Sequence, residues 1–202
     1  MTVLKPFIVK VCGVTSREDA QAAIDAGANA LGFNFYSKSP RFLTAEKAAE
    51  IIAVLRGDFL RVGVFVNPTG EDLNSARPML DVAQIHGSGK TDLPMWKAIA
   101  AGTTPVSEPD IDAWLVDTFT PQFGGSGKTF DWSLASNFPY RAIIAGGLDS
   151  GNVAEAIQVA NPWGVDSCSR LESAPGRKDH AKVAAFVEAS LEAFQIRQAV
   201  HI

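Results

Sequence analysis

Short apolar runs and amphipathic stretches take turns along almost the whole chain, and this alternation restricts the fold more than any other feature. The first run is Phe7–Cys12, FIVKVC. An Ala-rich helical stretch, REDAQAAIDAG, follows, with acidic residues near its start and Gly27 where a helix stop belongs. Ala30–Phe35 is the second run, and the helix predicted over Thr44–Leu55 has Thr44 as its N-cap. Leu60–Val66 is the third. After it, TGEDLNSARPML carries a capping signal in Thr69 and Asp72, and Pro78 ends the helix early. Asp81–His86, Met95–Ala100, Ala113–Asp117, Arg141–Gly146 and Trp163–Cys168 complete a set of eight, with SGNVAEAIQVA between the last two and the helix DHAKVAAFVEASLEAF at the end. The runs are apolar throughout, as strands of a parallel sheet covered on both faces must be.

Eight such units in 202 residues predict a single (βα)8 TIM-barrel domain spanning residues 1–202. With 47% hydrophobic residues, the chain can bury a substantial core. A doubly wound sheet is the other arrangement. It usually carries G-x-G-x-x-G after its first strand, and VCGVTSRED lacks that pattern.

One unit is short. Only GSGKTDLP separates His86 from Met95, whereas a parallel crossover normally takes a dozen residues or more. Eight extended residues reach about 26 Å, enough to return along a strand of about 20 Å. The helix between the fourth and fifth strands is therefore expected to be missing or shortened. TTPVSEPDID, after the fifth strand, is a poor helix because of Pro105 and Pro109.

The letters GSGKT occur at Gly87–Thr91 and again at Gly125–Thr129. A nucleotide-binding P-loop needs G-x-x-x-x-G-K-[ST]. Its first glycine would fall at Gln84 in one copy and Gln122 in the other, so neither is a P-loop. Net charge is −4 with no basic stripe, which argues against nucleic acid as a partner. No apolar run approaches the roughly 20 residues of a membrane span, and the N-terminus does not read as a signal peptide. Two distant cysteines, Cys12 and Cys168, suggest no disulfide framework and a reduced, cytoplasmic setting. His86, His180 and His201 show no metal-ligand spacing.

In such a barrel the active site lies at the C-terminal ends of the strands. Those ends offer Cys12-Gly13, the loop YSKSPR ending at Arg41, then Asn67, His86, Asp117, Gly146-Gly147 and Asp166–Ser169. A thiol, a guanidinium, an imidazole and carboxylates would share one face. The glycine turns after strands seven and eight fall where such barrels commonly bind phosphate. Taken singly, each residue also has a plain structural reading. Cys12 could be a small buried hydrophobe, Asp117 a cap or loop carboxylate, and Arg41, Lys38 and Lys128 solvated loop residues. His86 could be a hydrogen-bonded core histidine.

The stretches KVCGVT (10–15), GFNFYSKSPR (32–41), RVGVFVN (61–67), QIHG (84–87), DTFTPQFGGSGKTFDW (117–132), GGL (146–148) and ESAPGRKD (172–179), in that order, resemble the phosphoribosylanthranilate isomerases of tryptophan biosynthesis. The resemblance implies an Amadori rearrangement of a phosphosugar substrate, with no cofactor and no metal. It implies Cys12 as general base and Asp117 as general acid, with Arg41 clamping the anthranilate carboxylate and His86 lining the pocket. Gly146, Gly147, Asp166, Ser169 and Arg170 would surround the ribose and its phosphate. The second GSGKT would belong to a lid over the substrate.

The chain departs from the family in one loop. DSCSRLE stands where Asp-x-Ser-Ser-Gly-Val-Glu is usual, so Arg170 replaces a glycine. If that position needs φ > 0, arginine fits it poorly; its side chain could point outward or bind phosphate instead. A related phosphosugar isomerase or epimerase, and a catalytically silent barrel, are the competing readings. The histidine-pathway relative is expected to have an aspartate where Cys12 stands, and epimerases are expected to place metal-ligating histidines at strand ends. Retention of Cys12, Asp117 and Arg41 weighs against a silent barrel. The sequence leaves monomer and homodimer both open.

Overall fold

The computed structural model describes residues 5–106, 108–118 and 129–200. Eight strands run parallel and close into a barrel in sequence order: β1 (Ile8–Cys12), β2 (Ala30–Asn34), β3 (Leu60–Val66), β4 (Val82–His86), β5 (Met95–Ala100), β6 (Ile111–Asp117), β7 (Ala142–Ile144) and β8 (Gly164–Ser167). The barrel closes where β1 pairs with β8, with Lys10 opposite Asp166. On the other side of β1, Cys12 stands opposite Gly32 of β2.

Helices α1 (Arg17–Asp25), α2 (Ala45–Val54), α3 (Gly70–Ala76), α4 (Val153–Ala160) and α5 (His180–Val200) cover the outside. Local chemistry sets their starts. Ser16 and Thr44 accept from the backbone N–H groups of Asp19 and Lys47. Thr69 and Asp72 form a reciprocal capping box. Pro78 then turns the chain into a single 3-10 turn, Arg77–Met79, as its ring and missing N–H require.

Inside the barrel, Ile8, Ala30, Val62, Val82, Trp96, Ala113, Leu115, Ile143 and Ala145 form one apolar cluster. Trp96 is its largest member, fully buried and edge-on to Trp163. Between strands and helices lies a second, larger cluster built on β1, β2, β6, β7, β8 and helices α1, α2, α4 and α5.

The described residues contain no helix between β4 and β5, where 87–94 is bends and irregular chain, and none between β5 and β6. The missing fourth helix is thus as the short connection requires. Leu93 packs near Ile85 and Met95 in place of a helix, together with Ala76, Met79 and Leu80 from the α3 region. The Lys97 ammonium donates to the carbonyl of Gly87, and Ser88 N–H donates to Asn67 Oδ1 at 2.8 Å. These bonds fasten the start of the connection.

One element was not foreseen. After β8 the chain makes a 3-10 turn, Ser169–Leu171, then a small antiparallel hairpin of β9 (Glu172–Ala174) and β10 (Arg177–Lys178). The hairpin lies against the loops after β1 and β2, where Thr15 Oγ1 donates to Gly176 O at 2.5 Å and Arg41 meets Glu172. No helix among the described residues is long and apolar enough to cross a membrane. The lid expected around Gly125–Thr129, with Lys128, falls outside the described residues apart from Thr129.

Candidate active site

Cys12 ends β1 with its side chain directed into the barrel mouth, two residues beyond the inward-facing Lys10. Lys10 is completely buried, and its ammonium lies 2.9 Å from Asp166 Oδ1. A charge so deeply buried must be paired. Burial works against Lys10's positive form, but Asp166 and Cys12 together push its pKa up. Gly32 makes room for this pair of side chains. A Cβ there would fall 2.7 Å from Cys12 Sγ and 3.1 Å from Lys10 Nζ.

The Cys12 thiol is pulled down to about 7. The largest cause is a hydrogen bond from the side chain of Cys168. Burial opposes it, and the Lys10 ammonium adds to it. A substantial thiolate fraction at neutral pH follows.

Asp117 ends β6 and shows the opposite shift. Burial pushes its carboxyl up to about 6; the backbone N–H of Thr118, 2.6 Å from Oδ1, resists, and the Asp166 charge adds to the rise. Gly146, at φ +88°, lies against this group. A Cβ at 146 would be 2.6 Å from Asp117 Oδ1 and 2.5 Å from Thr118 Oγ1, so the close approach needs glycine.

His86 ends β4 and is driven down to about 4 by burial and by the charges of Lys10 and Lys97. It is therefore neutral at pH 7. Its Nε2 lies 2.9 Å from Gln84 Nε2. Being neutral, it can line a pocket or accept a hydrogen bond, but it brings no charge.

Arg41 reaches back across Gly13, whose φ is +70° and where a Cβ would be 2.5 Å from Arg41 Cδ. Its fork is already engaged. Nε and Nη2 donate to the two oxygens of Glu172, both at 2.7 Å. Lys178, also fully buried, reaches Glu172 at 3.0 Å. Burial would raise the Glu172 carboxyl, but Arg41 and Lys178 outweigh it and hold it low.

The loops after β7 and β8 meet as expected. Gly146 and Gly147 both have positive φ, and Asn152 Nδ2 donates to Gly147 O at 2.9 Å. Ser167 Oγ donates to Leu148 O at 2.5 Å and ties the two loops together. Arg170 is not in a left-handed conformation. It sits in the 3-10 turn that Ser169 begins, so the loop has adopted a path on which arginine carries no backbone strain. Its guanidinium points outward to Asp149, 2.8 Å away, adding a second tie between the loops.

The structure thus gathers Cys12, His86, Asp117, Gly146, Gly147, Asp166, Ser169 and Arg41 around one end of the barrel. Lys10, Gly32, Glu172 and Lys178 are members that motif reading did not single out. For Lys10 a signal existed: a lysine inside the apolar run FIVKVC must either break the strand or find a buried counter-charge. For Lys178 there was none, since the hairpin that buries it has no pattern of its own. Among the described residues no group of three or more potential metal ligands comes together.

Residues 9–189 match the family model for N-(5′-phosphoribosyl)anthranilate isomerase. A relative of that name from Solibacter usitatus is 50% identical over 198 residues, covering 91% of this chain and 97% of its own. Another, from Trichlorobacter lovleyi, is 41% identical over 201 residues, covering 92% and 98%. Among solved structures, the phosphoribosyl anthranilate isomerase of Thermotoga maritima superposes with a TM-score of 0.79 at 35% identity, covering 92% of this chain and 99% of that one. A second isomerase structure, in complex with reduced 1-(o-carboxyphenylamino)-1-deoxyribulose 5-phosphate, gives a TM-score of 0.74 at 31% identity over the same shares.

Proposed function

The chain belongs to the N-(5′-phosphoribosyl)anthranilate isomerase family of tryptophan biosynthesis, and from that premise we propose that it performs the Amadori rearrangement with Cys12 as general base and Asp117 as general acid. The observation that carries this reading is the opposed tuning of the two groups. A thiol is pulled down to about 7 and a carboxyl is pushed up to about 6 at the same barrel mouth. A thiolate and a neutral carboxylic acid are what proton abstraction at carbon and proton donation to oxygen require.

Asp117 gives its proton to the ribose ring oxygen as the bond from that oxygen to C1 breaks. The anilino nitrogen supplies the electron pair and becomes an iminium. Cys12 thiolate then removes the proton from C2, leaving an enolamine with neutral nitrogen. Return of a proton to C1 and loss of one from the C2 hydroxyl give 1-(2-carboxyphenylamino)-1-deoxyribulose 5-phosphate. Atoms and charge balance without an outside reductant or oxidant.

Binding of the two anionic ends follows from the same frame. Glu172 holds the Arg41 guanidinium in place, and the N–H groups outside that pair are offered to the anthranilate carboxylate. The phosphate is assigned to the backbone N–H groups around Gly146 and Gly147 with Ser169, where the β7 and β8 loops are tied together. Arg170, beside them, adds positive field. Asp166, held by Lys10, faces the ribose, and neutral His86 lines the pocket wall.

The test is direct. Purified protein is given phosphoribosylanthranilate, and loss of anthranilate-type fluorescence is followed. Turnover is expected, with Cys12→Ala lowering kcat by about 10²-fold or more. A folded sample with no turnover overturns the activity, and a near-wild-type rate in Cys12→Ala removes that residue from its role.

A further inference from the structure

The mechanism gives His86 a place on the pocket wall but no task for its two ring nitrogens. One of them is already engaged. Its Nε2 lies 2.9 Å from Nε2 of Gln84, two residues deeper on β4. Gln84 is almost fully buried, 2% exposed. It points into the barrel, like Val82 of the interior cluster, because alternate residues of a strand share a face. The strand registers stack these inward side chains in layers drawn from alternate strands. Gln84 shares its layer with Gly32, Leu115 and Asp166. The Lys10 ammonium rises into that layer, 2.9 Å from Asp166 Oδ1 and 3.1 Å from where a Cβ on Gly32 would lie.

We propose that Gln84 is a positioning residue for the reaction: its carboxamide N–H donates to His86 Nε2, so that neutral His86 keeps its proton on Nδ1 and presents an N–H donor to the ribose oxygens of the bound substrate. This rests on the reading of the barrel mouth as the isomerase site. A neutral imidazole has one donor nitrogen and one acceptor nitrogen, and the bond made by one fixes the role of the other. His86 is neutral at pH 7 because burial and the Lys10 and Lys97 ammonium groups disfavour its cation. With Nε2 engaged from below, Nδ1 is the nitrogen left for the mouth, where Asp117 ends β6 in the same layer as His86.

The direction of donation follows from what lies behind Gln84. A carboxamide can meet the ring with its nitrogen or with its oxygen, and the end turned away stays in the barrel. Here that end is Oε1. Among the described residues it has no hydrogen-bond partner, and neither has the indole N–H of Trp96, the residue paired with Gln84 on β5. The layer holds the Lys10 ammonium, whose charge favours an oxygen there and opposes an NH2 group. Its carboxylate, Asp166, is already engaged by that ammonium. Turned round, the carboxamide would bury two N–H bonds without acceptors in a layer with an ammonium, above an indole N–H, and that costs more than one unpaired oxygen.

The experiment is NMR on protein labelled with 15N-histidine, with kcat/KM measured alongside. The chain has three histidines, and the background His180→Gln/His201→Gln leaves the His86 signals alone. At pH 7 the ring is expected as the neutral Nδ1–H tautomer, with Nε2 unprotonated. A neutral imidazole left to itself favours Nε2–H. Gln84→Met keeps the length of the side chain without a donor, and moves His86 to Nε2–H. Gln84→Glu, whose carboxylate only accepts, places a proton on Nε2 as well. In Gln84→Met kcat/KM falls about threefold to tenfold, the size of one hydrogen bond. Saturation with reduced 1-(o-carboxyphenylamino)-1-deoxyribulose 5-phosphate, the ligand of the second isomerase structure, shifts the Nδ1–H resonance. An Nε2–H tautomer with Gln84 in place overturns the proposal, and this reading needs no Gln84 variant to fold. An unchanged tautomer in folded Gln84→Met confines Gln84 to filling space and overturns it too, as does an Nδ1–H resonance that ignores the ligand. A wild type that turns over no phosphoribosylanthranilate defeats the isomerase reading, while the spectrum still decides the tautomer.

Discussion

Replacing Asp117 by asparagine tests the opposed tuning most sharply. Asparagine keeps the shape and, through Oδ1, the 2.6 Å bond from Thr118 N–H. It has no proton to give a ring oxygen. In the wild type the working form needs Cys12 without its proton and Asp117 with its own. With midpoints of about 7 and about 6, those demands oppose each other. At pH 6.5 each group is in its working form in about a quarter of molecules, and both are in roughly 6%. The kcat/KM profile is then a narrow bell. Its limbs stand at about pH 6 and 7, but their owners are reversed: the acid limb tracks protonation of Cys12 and the alkaline limb ionisation of Asp117. In Asp117→Asn the alkaline limb disappears. The acid limb then moves from about 6 to the true Cys12 midpoint near 7, and the plateau lies about 10²-fold or more below the expected two-group rate. Fluorescence turnover across pH 5 to 9, on protein whose melting is checked separately, measures all three. A surviving alkaline limb would refute the acid assignment. An acid limb that stays near 6 would refute the reversed order of protonation.

Lys10→Met strands the buried Asp166 carboxylate and costs about 3–5 kcal/mol, a fall in Tm of roughly 6–20 °C for a chain of this size; calorimetry should recover most of it in the double variant Lys10→Met/Asp166→Leu. Arg170→Ala removes a half-exposed pair with Asp149 that contributes about 0–1 kcal/mol. The Tm should barely move while KM for the phosphorylated substrate rises; an unchanged KM would confine Arg170 to tying the loops. His86 is held neutral in the folded protein down to about 4, against an ordinary 6.5, so the unfolded chain binds the extra proton and stability is lost as pH falls from 6.5 toward 4. Asp117, raised from 3.8 to about 6, acts in the opposite sense between those values, and denaturant melts of His86→Asn should show a flatter loss on acidification than wild type.

The strand pattern was legible because parallel strands inside a barrel are buried on both faces, so each of the eight apolar runs had a single interpretation. The missing helix was legible for a simpler reason: eight residues cannot hold a crossover helix, only an extended return. The β9–β10 hairpin was not legible. Its residues, ESA and RK, have no apolar alternation, and it is held by side-chain bonds to Arg41, Thr15 and Asp19 rather than by a core face. That is also why Glu172 and Lys178 went unnoticed. Arg170 shows the opposite case. The sequence correctly marked a position where glycine is usual, but the loop's own path removed the strain. What a substitution does there depends on backbone dihedrals that single-residue reasoning takes as fixed.

The place of the lost helix also bears on function. In a closed eight-stranded barrel, β4 and β5 lie across the axis from β8 and β1. Lys10, Cys12, Asp166, Cys168, Lys178, Glu172 and Arg41 all come from the β8–β1–β2 side and the hairpin attached to it. That side is backed by α1 and α5, which pack on each other and on the largest apolar cluster. The eroded side supplies His86, which is neutral, and Asp117 at the end of β6 beside β5, with an apolar cluster reduced to what α3, Leu80 and Leu93 can cover. Tuning a thiol and an ammonium needs exclusion of water and fixed geometry, and both are lost when strands shift. A helix missing behind β1 or β8 would loosen that buried charge series directly. A helix missing behind β4 or β5 lowers the stability of the barrel wall against which Asp117 of β6 is paired, but leaves the buried charge series around Cys12 to the rigid side. Shortening of the chain at the β4–β5 connection thus spares the charge series that tunes Cys12, which lies across the barrel from it.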